Sequence, residues 1–172
     1  MMLDIGGWAP PAAPQLRTAT EHDLDGIAAM HGRCSADSLY RRYLSGAGAP
    51  PRARLALLLA NGHTSVAVAT GGIDDGRIVA AAQLVAAASG PAELAILVED
   101  AWQRRGLGTA LARRLVGHAV GAGLPAVLVY VLATNQPALR TFRRLLTDGA
   151  LTAATLVDRD GPLLTFSLTA PR

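Results

Sequence analysis

Lysine is absent from this chain of 172 residues; every one of its 16 basic side chains is arginine. A nucleoside-triphosphate loop ending in Gly-Lys-Ser/Thr is thereby excluded, because its lysine is the group that reaches the β- and γ-phosphates. Cysteine is almost absent too. Cys34 alone can form neither an internal disulfide nor a paired-cysteine metal site, so no metal is expected. Aromatic residues are 4% of the chain, and the basic stretch 101–147 lacks the recognition motifs or interleaved aromatics of a nucleic-acid binder. No apolar run reaches the roughly 18 residues that cross a bilayer. Met1-Met2-Leu3-Asp4 lacks the basic start and long apolar stretch of a secretory signal. These absences point to a soluble, cytoplasmic protein with neither membrane nor nucleic-acid partners. One further gap is local. No Asp or Glu lies between Asp100 and Asp148, while Arg104, Arg105, Arg113, Arg114, Arg140, Arg143 and Arg144 fall inside that span.

What is present suits one domain with a substantial core, since 51% of the residues are hydrophobic. Residues 1–14, with three prolines and two glycines, read as a flexible leader, and 15–172 as a single domain. A strand is predicted over Gln15–Thr20. Thr20 or Asp23 caps a helix to about Gly32, Ser35 or Asp37 opens another through Leu44, and Pro50-Pro51 begins a third to about Ala60. Ser65–Thr70 and Arg77–Ala88 read as strands around the turn Gly71–Gly76. Glu93–Val98 is the next strand, Gly106 to about Val120 a helix, and Val127–Leu132 a buried strand. Asn135 caps a helix that tolerates Pro137 in its first turn. Ala150–Val157 and Pro162–Thr169 make a closing hairpin around Asp158-Arg159-Asp160-Gly161.

The chemistry concentrates in Gln103-Arg104-Arg105-Gly106-Leu107-Gly108-Thr109-Ala110. Glycines at a strand-to-helix turn let backbone approach a ligand. The first N–H groups of the helix have no internal partners and carry the positive end of its dipole. Such a terminus is an anion site, and the arginines add charge. A dinucleotide turn would need a third glycine, where Leu111 stands, and an acid about 20 residues on, where none exists. A diphosphate of another kind remains.

Gln103-Arg104-Arg105-Gly106-Leu107-Gly108, after the strand ending at Val98, resembles the Gln/Arg-x-x-Gly-x-Gly/Ala signature of the GNAT superfamily of N-acetyltransferases. Asn135-Gln136-Pro137-Ala138 resembles that superfamily's Asn-x-x-Ala helix. The resemblance implies an α/β fold: a mixed, mostly antiparallel twisted sheet of about six to seven strands with helices on both faces. It implies acetyl-CoA as co-substrate and direct attack by a primary amine. It also implies that Gln103, Arg104, Arg105, Gly106, Leu107, Gly108 and Thr109 hold the diphosphate. By the same resemblance the backbones of Ile96, Leu97 and Val98 hold the pantetheine arm, and Asn135 contacts it. Homodimers are common in that superfamily.

The attacking amine must be neutral, so a base within reach is needed. Glu93, at the start of the cofactor strand, is the candidate. Glu99 comes second, and reads more naturally as a solvated strand end. His63 and His118 rank below both. Many members place a tyrosine seven residues after the asparagine to protonate the departing thiolate; here that position is Phe142. Tyr130 is a substitute, although a core aromatic is its simpler reading. The missing tyrosine motivates an alternative function, a catalytically weak acyl-CoA-binding sensor or regulatory module. Ser35-Ala36-Asp37-Ser38-Leu39-Tyr40-Arg41-Arg42 resembles the Ser-x-x-Ser-Leu-Tyr-x-Arg region of domains that acetylate protein lysines. The acceptor is therefore expected to be a small amine or a protein lysine, with Tyr40 and Tyr43 either lining its groove or packing on the core.

Overall fold

The computed structural model describes residues 12–85, 91–124 and 126–171. Its elements, in chain order, are β1 (Ala12–Thr18), α1 (Leu24–Arg33), α2 (Ala36–Tyr43), α3 (Arg52–Ala60), β2 (His63–Thr70), β3 (Ile78–Val85), β4 (Ala92–Val98), α4 (Leu107–Gly121), β5 (Val127–Leu132), α5 (Gln136–Thr147), β6 (Ala153–Asp160) and β7 (Leu163–Thr169). The strands form one sheet in the order β1-β2-β3-β4-β5-β7-β6. Every neighbouring pair is antiparallel except β4 and β5. This is the mixed, mostly antiparallel sheet that the resemblance implies.

Several boundaries move for physical reasons. The first strand starts at Ala12, inside the predicted leader, despite Pro14. It is an edge strand, where a missing N–H is tolerated, and its register shifts between Ala12 and Gln15. The rest of that leader, and residues 86–88 of the predicted third strand, lie outside the described residues. The closing hairpin turns more tightly than predicted. Asp158–Asp160 belong to β6, and the turn is Gly161-Pro162, with Gly161 at φ 55°.

The sheet separates two apolar layers. On one face, α4 and α5 bury Leu111, Leu115, Phe142 and Leu145 against Leu94, Val127, Val129 and Val131. On the other, α1 to α3 bury Ile27, Met30, Leu39 and Leu55 against Val66, Ile78 and Leu97. Alternation along a strand assigns the remaining side chains. Glu93 and Ala95 share the face of Leu97, toward α1–α3. Tyr130 lies on that same face, because Val129 and Val131 pack on the opposite one. Burying a Leu or Val side chain contributes about 1.5–3 kcal/mol, so a slip of one residue in β4 or β5 would expose the core and bury Glu93. Their register is fixed accordingly.

Candidate active site

Among the described residues β4 and β5 pair only at Ala92–Val127 and Glu93–Leu128. Beyond that point they part, and the gap opens into a cleft of about 380 Å³. β4 remains paired with β3 from Glu93 to Val98. Glu99 N–H donates to the Val79 carbonyl at 2.9 Å. Antiparallel alternation then commits the backbone groups of Glu99, Leu97 and Ala95 to β3, and turns those of Ile96 and Val98 toward the cleft. Of the three residues assigned to the pantetheine arm, Ile96 offers its N–H and carbonyl and Val98 its N–H, the Val98 carbonyl accepting from Gln103; Leu97 has its own in the ladder and its side chain in the core.

The cleft ends at the start of α4. Gly106 precedes that helix with φ 83°, a conformation that favours glycine. The first intrahelical bond runs from Ala110 N–H to the Gly106 carbonyl at 3.0 Å. The N–H groups of Leu107, Gly108 and Thr109 lie before it, with no side-chain cap and no acid in the first turn. Two other helices that line the cleft are capped by their own residues: Ser35 accepts from Ser38 N–H, and Asn135 from Ala138 N–H. The α4 terminus thus keeps three donors for something else. Gly108 tests the fit. A Cβ built there meets only Thr141 Oγ1, at 4.0 Å, and the backbone is ordinary helix. The protein's own packing does not require glycine at that point; a group lying against the backbone would.

The side chains around this turn divide into two sets. Arg104, at φ 61°, lines the cleft. So do Arg140, Thr141 and Arg144 of α5, whose i, i+1, i+4 spacing beside Pro137 puts them on one face of the helix. Arg105 lies over the Trp102 ring at 4.6 Å and braces the turn from outside. Gln103 donates to the Val98 carbonyl at 3.1 Å and to Ser38 Oγ at 2.9 Å. Asp100 accepts from Ser35 N–H, Ser35 Oγ and Ser38 Oγ at 2.7–3.0 Å, and these bonds hold its carboxyl below the usual range against the effect of burial. The paired serines of the Ser-x-x-Ser segment therefore fasten α2 to the turn before α4.

Glu93 is exposed on the α2 side of the sheet, where β4 and β5 begin to part. Glu99, expected to be solvated, is instead buried: Arg33 approaches to 2.9 Å and Arg77 to 3.4 Å. Both carboxylate oxygens are occupied by guanidinium groups, so it is a structural ion pair. Tyr130 is also corrected. It is 41% exposed and lines the cleft, because the side chains beside it on β5 take the core face. Phe142 is buried against Phe166, ring centroids 5.4 Å apart. His63 and His118 stack on each other at 3.6 Å, and neither is among the cleft residues. Cys34 is no nucleophile: burial and the nearby Asp100 and Glu99 charges push its thiol up to about 12. Tyr43 gives its hydroxyl to buried His31. His31 Nδ1–H donates to the Ile27 carbonyl at 2.7 Å, so Nε2 is left to accept from Tyr43 at 2.6 Å.

Comparison with known proteins places this arrangement. A stretch of 57 residues, 33% of the chain, is 49% identical to mycothiol acetyltransferase of Mycobacteroides abscessus. That stretch covers 19% of the relative's length. The fold superposes on the GNAT domain of S. lividans PAT with a TM-score of 0.73 at 20% identity, covering 91% of this chain and 90% of that one. It superposes on a GNAT superfamily phosphinothricin acetyltransferase from Sinorhizobium meliloti, in complex with acetyl-CoA, at 0.67 and 16% identity, covering 92% and 89%. The family model described as "Acetyltransferase (GNAT) family" matches residues 35–146, the span from the α2 cap through the parted strands to α5. With the signature turn, the parted β4 and β5 and the uncapped α4 all inside that match, the chain belongs to the acetyltransferase (GNAT) family.

Proposed function

We propose that the protein is an acetyl-CoA-dependent N-acetyltransferase acting on a primary amine by direct attack. The observation that carries this reading is the uncapped start of α4, with Leu107, Gly108 and Thr109 N–H groups at the end of a cleft whose wall is the free edge of Ile96 and Val98. Acetyl-CoA supplies the activated acetyl thioester. The α4 amides, with Arg104, hold the diphosphate; each charge-assisted bond is worth about 1.5–3 kcal/mol. Gln103 acts from behind, by fixing the Val98 carbonyl and α2. Asn135 shapes the cleft by capping α5, and Arg105 supports the turn from Trp102. Ile96 and Val98 take the pantetheine arm as an added strand would. An edge N–H that also meets the developing oxyanion contributes to rate as well as affinity.

Glu93 takes the amine's proton, directly or through water. Its place at the apex of the parted strands, on the open α2 side, supports the role. Phe142 offers no proton to the departing thiolate. Tyr130, across the apex on the same face, is the proton donor in this reading. The acceptor remains a primary amine of unassigned class, and a protein lysine is supported only by the Ser35–Arg42 resemblance, whose serines already have a structural task.

Phe142 also favours a second reading, an acyl-CoA-binding module with little transfer. Titration calorimetry with acetyl-CoA, followed by coenzyme A release against amine and peptide panels, separates the two. Binding with turnover on an amine is expected. Binding without release on any acceptor selects the sensor, and no binding rejects both.

A further inference from the structure

Arg42 is the least explained charge in the molecule. It is half-buried on α2 and lines the cleft. Its Nη2 donates to Gln83 Oε1 at 2.6 Å, and its guanidinium lies 4.5 Å from the centroid of the Tyr43 ring. No carboxylate among the described residues comes within salt-bridge distance of it. The other partly buried arginines differ: Arg17 pairs with Asp23, and Arg33 and Arg77 with Glu99. Even its neighbour Arg41, also on the cleft, is paired with Asp37 at 2.9 Å. A guanidinium carries five N–H donors, and one amide oxygen leaves most of them unused in a place where water is partly excluded. Burial works against its charge, with Tyr43 and Glu93 acting in the opposite sense. Arg54, exposed on α3 without an ion pair among the described residues, adds a second positive charge nearby.

The register says what Arg42 faces. Gln83 pairs with Ala95, one step up β4 from Glu93, on the same face. Two residues of strand separate these positions by about 6–7 Å. A cation with spare donors and the candidate base therefore stand within one small molecule's length of each other, with Tyr130 across the gap. An ammonium beside Glu93 and an anion on Arg42 would use both.

Resting on the N-acetyltransferase reading, we infer that the acceptor is a small amine bearing a carboxylate, as an amino acid does, and that Arg42, steadied by Gln83, binds the carboxylate. Planar donors in a fork match a carboxylate in two parallel hydrogen bonds. The subsite selects acceptors that carry the anion a short distance from the amine, and a lysine side chain within a protein does not.

The test uses the full chain, acetyl-CoA, and the proteinogenic amino acids, each as free carboxylate and as carboxamide, with coenzyme A release as readout. For the acceptors used, kcat/KM is expected to be at least tenfold higher for the carboxylate than for its amide. Arg42→Gln should bring that ratio below about twofold, and Arg42→Lys should keep part of it. The wild-type ratio needs no variant to fold. Calorimetry with acetyl-CoA on each protein reports separately on the cofactor site. A wild-type ratio near one, a ratio that survives in Arg42→Gln, or turnover confined to amines without a carboxylate overturns the subsite while leaving the acetyltransferase standing. Failure of the wild type to bind acetyl-CoA removes both.

Discussion

The two walls of the cleft are built from different materials. The α4 wall works with backbone: the amides of Leu107, Gly108 and Thr109 and the free edge of Ile96 and Val98. The α2 wall works with side chains: Arg42 and Tyr130 line it, and Glu93 stands exposed beyond the lining, where β4 and β5 part. A backbone site is fixed once strand, turn and helix are fixed, and it tolerates many side chains. A side-chain site can be rebuilt by a single substitution without touching the fold. The first suits a ligand that does not change, the second a ligand that can.

If that division holds, damage to the two walls should separate cleanly. The largest effect is expected from Gly108→Asp. The new carboxylate fills the space against the α4 amides and opposes the diphosphate, yet favours the helix terminus in the free protein. Acetyl-CoA affinity should fall by a hundredfold or more by calorimetry, with Tm unchanged or slightly raised; binding within threefold of wild type would break the backbone account. Next comes Glu93→Gln. Turnover should fall by about 100-fold or more, the shape of the kcat/KM–pH profile should change, and cofactor affinity should stay within twofold. An unaltered pH profile would remove Glu93 from the mechanism.

Two smaller effects probe the supports. Asp100→Ala removes the acceptor shared by Ser35 and Ser38 and should cost about 1–3 kcal/mol in denaturant unfolding. It should also raise KM for both substrates, since it touches both walls; a change confined to one substrate would show that the walls are independent. Away from the cleft, Arg17 holds the Asp23 carboxyl down to about 2, from 3.8. Because the folded value is depressed, the stabilisation is full above about pH 4–5 and is lost as pH falls toward 2. Such a shift is worth about 2 kcal/mol. Asp23→Asn should flatten that part of the stability–pH curve and leave both substrate affinities in place. A curve identical to wild type would remove the pair from the acid response.

The contrast between walls also governs what the residue pattern could reveal. Gly106, Gly108 and the run Leu94–Val98 have local spacing that reports a strand, a turn and a helix, so that succession and the order of elements along the chain were legible. Leu97 was not separable from Ile96 and Val98, because which backbone faces outward depends on pairing with β3. Glu99 and Tyr130 were misjudged because burial is a tertiary property. Arg33 reaches Glu99 from 66 residues away, and no periodicity encodes that. The same holds for Arg42 and Gln83, 41 residues apart. Ser35 and Ser38 were noticed for a resemblance, whereas their partner Asp100 is 65 and 62 residues away and is visible only in three dimensions.

The fastening of α2 to the α4 turn has a thermodynamic consequence. Gln103 joins the Val98 carbonyl to Ser38, and Ser38 shares Asp100 with Ser35, so the two ligand positions are linked by one hydrogen-bonded chain. Any factor by which a loaded cofactor alters acceptor affinity must equal the factor by which a loaded acceptor alters cofactor affinity. Measuring one of the two cross-affinities therefore fixes the other, and the change in that number in Asp100→Ala reports how much of the coupling runs through the Ser38–Asp100 contact.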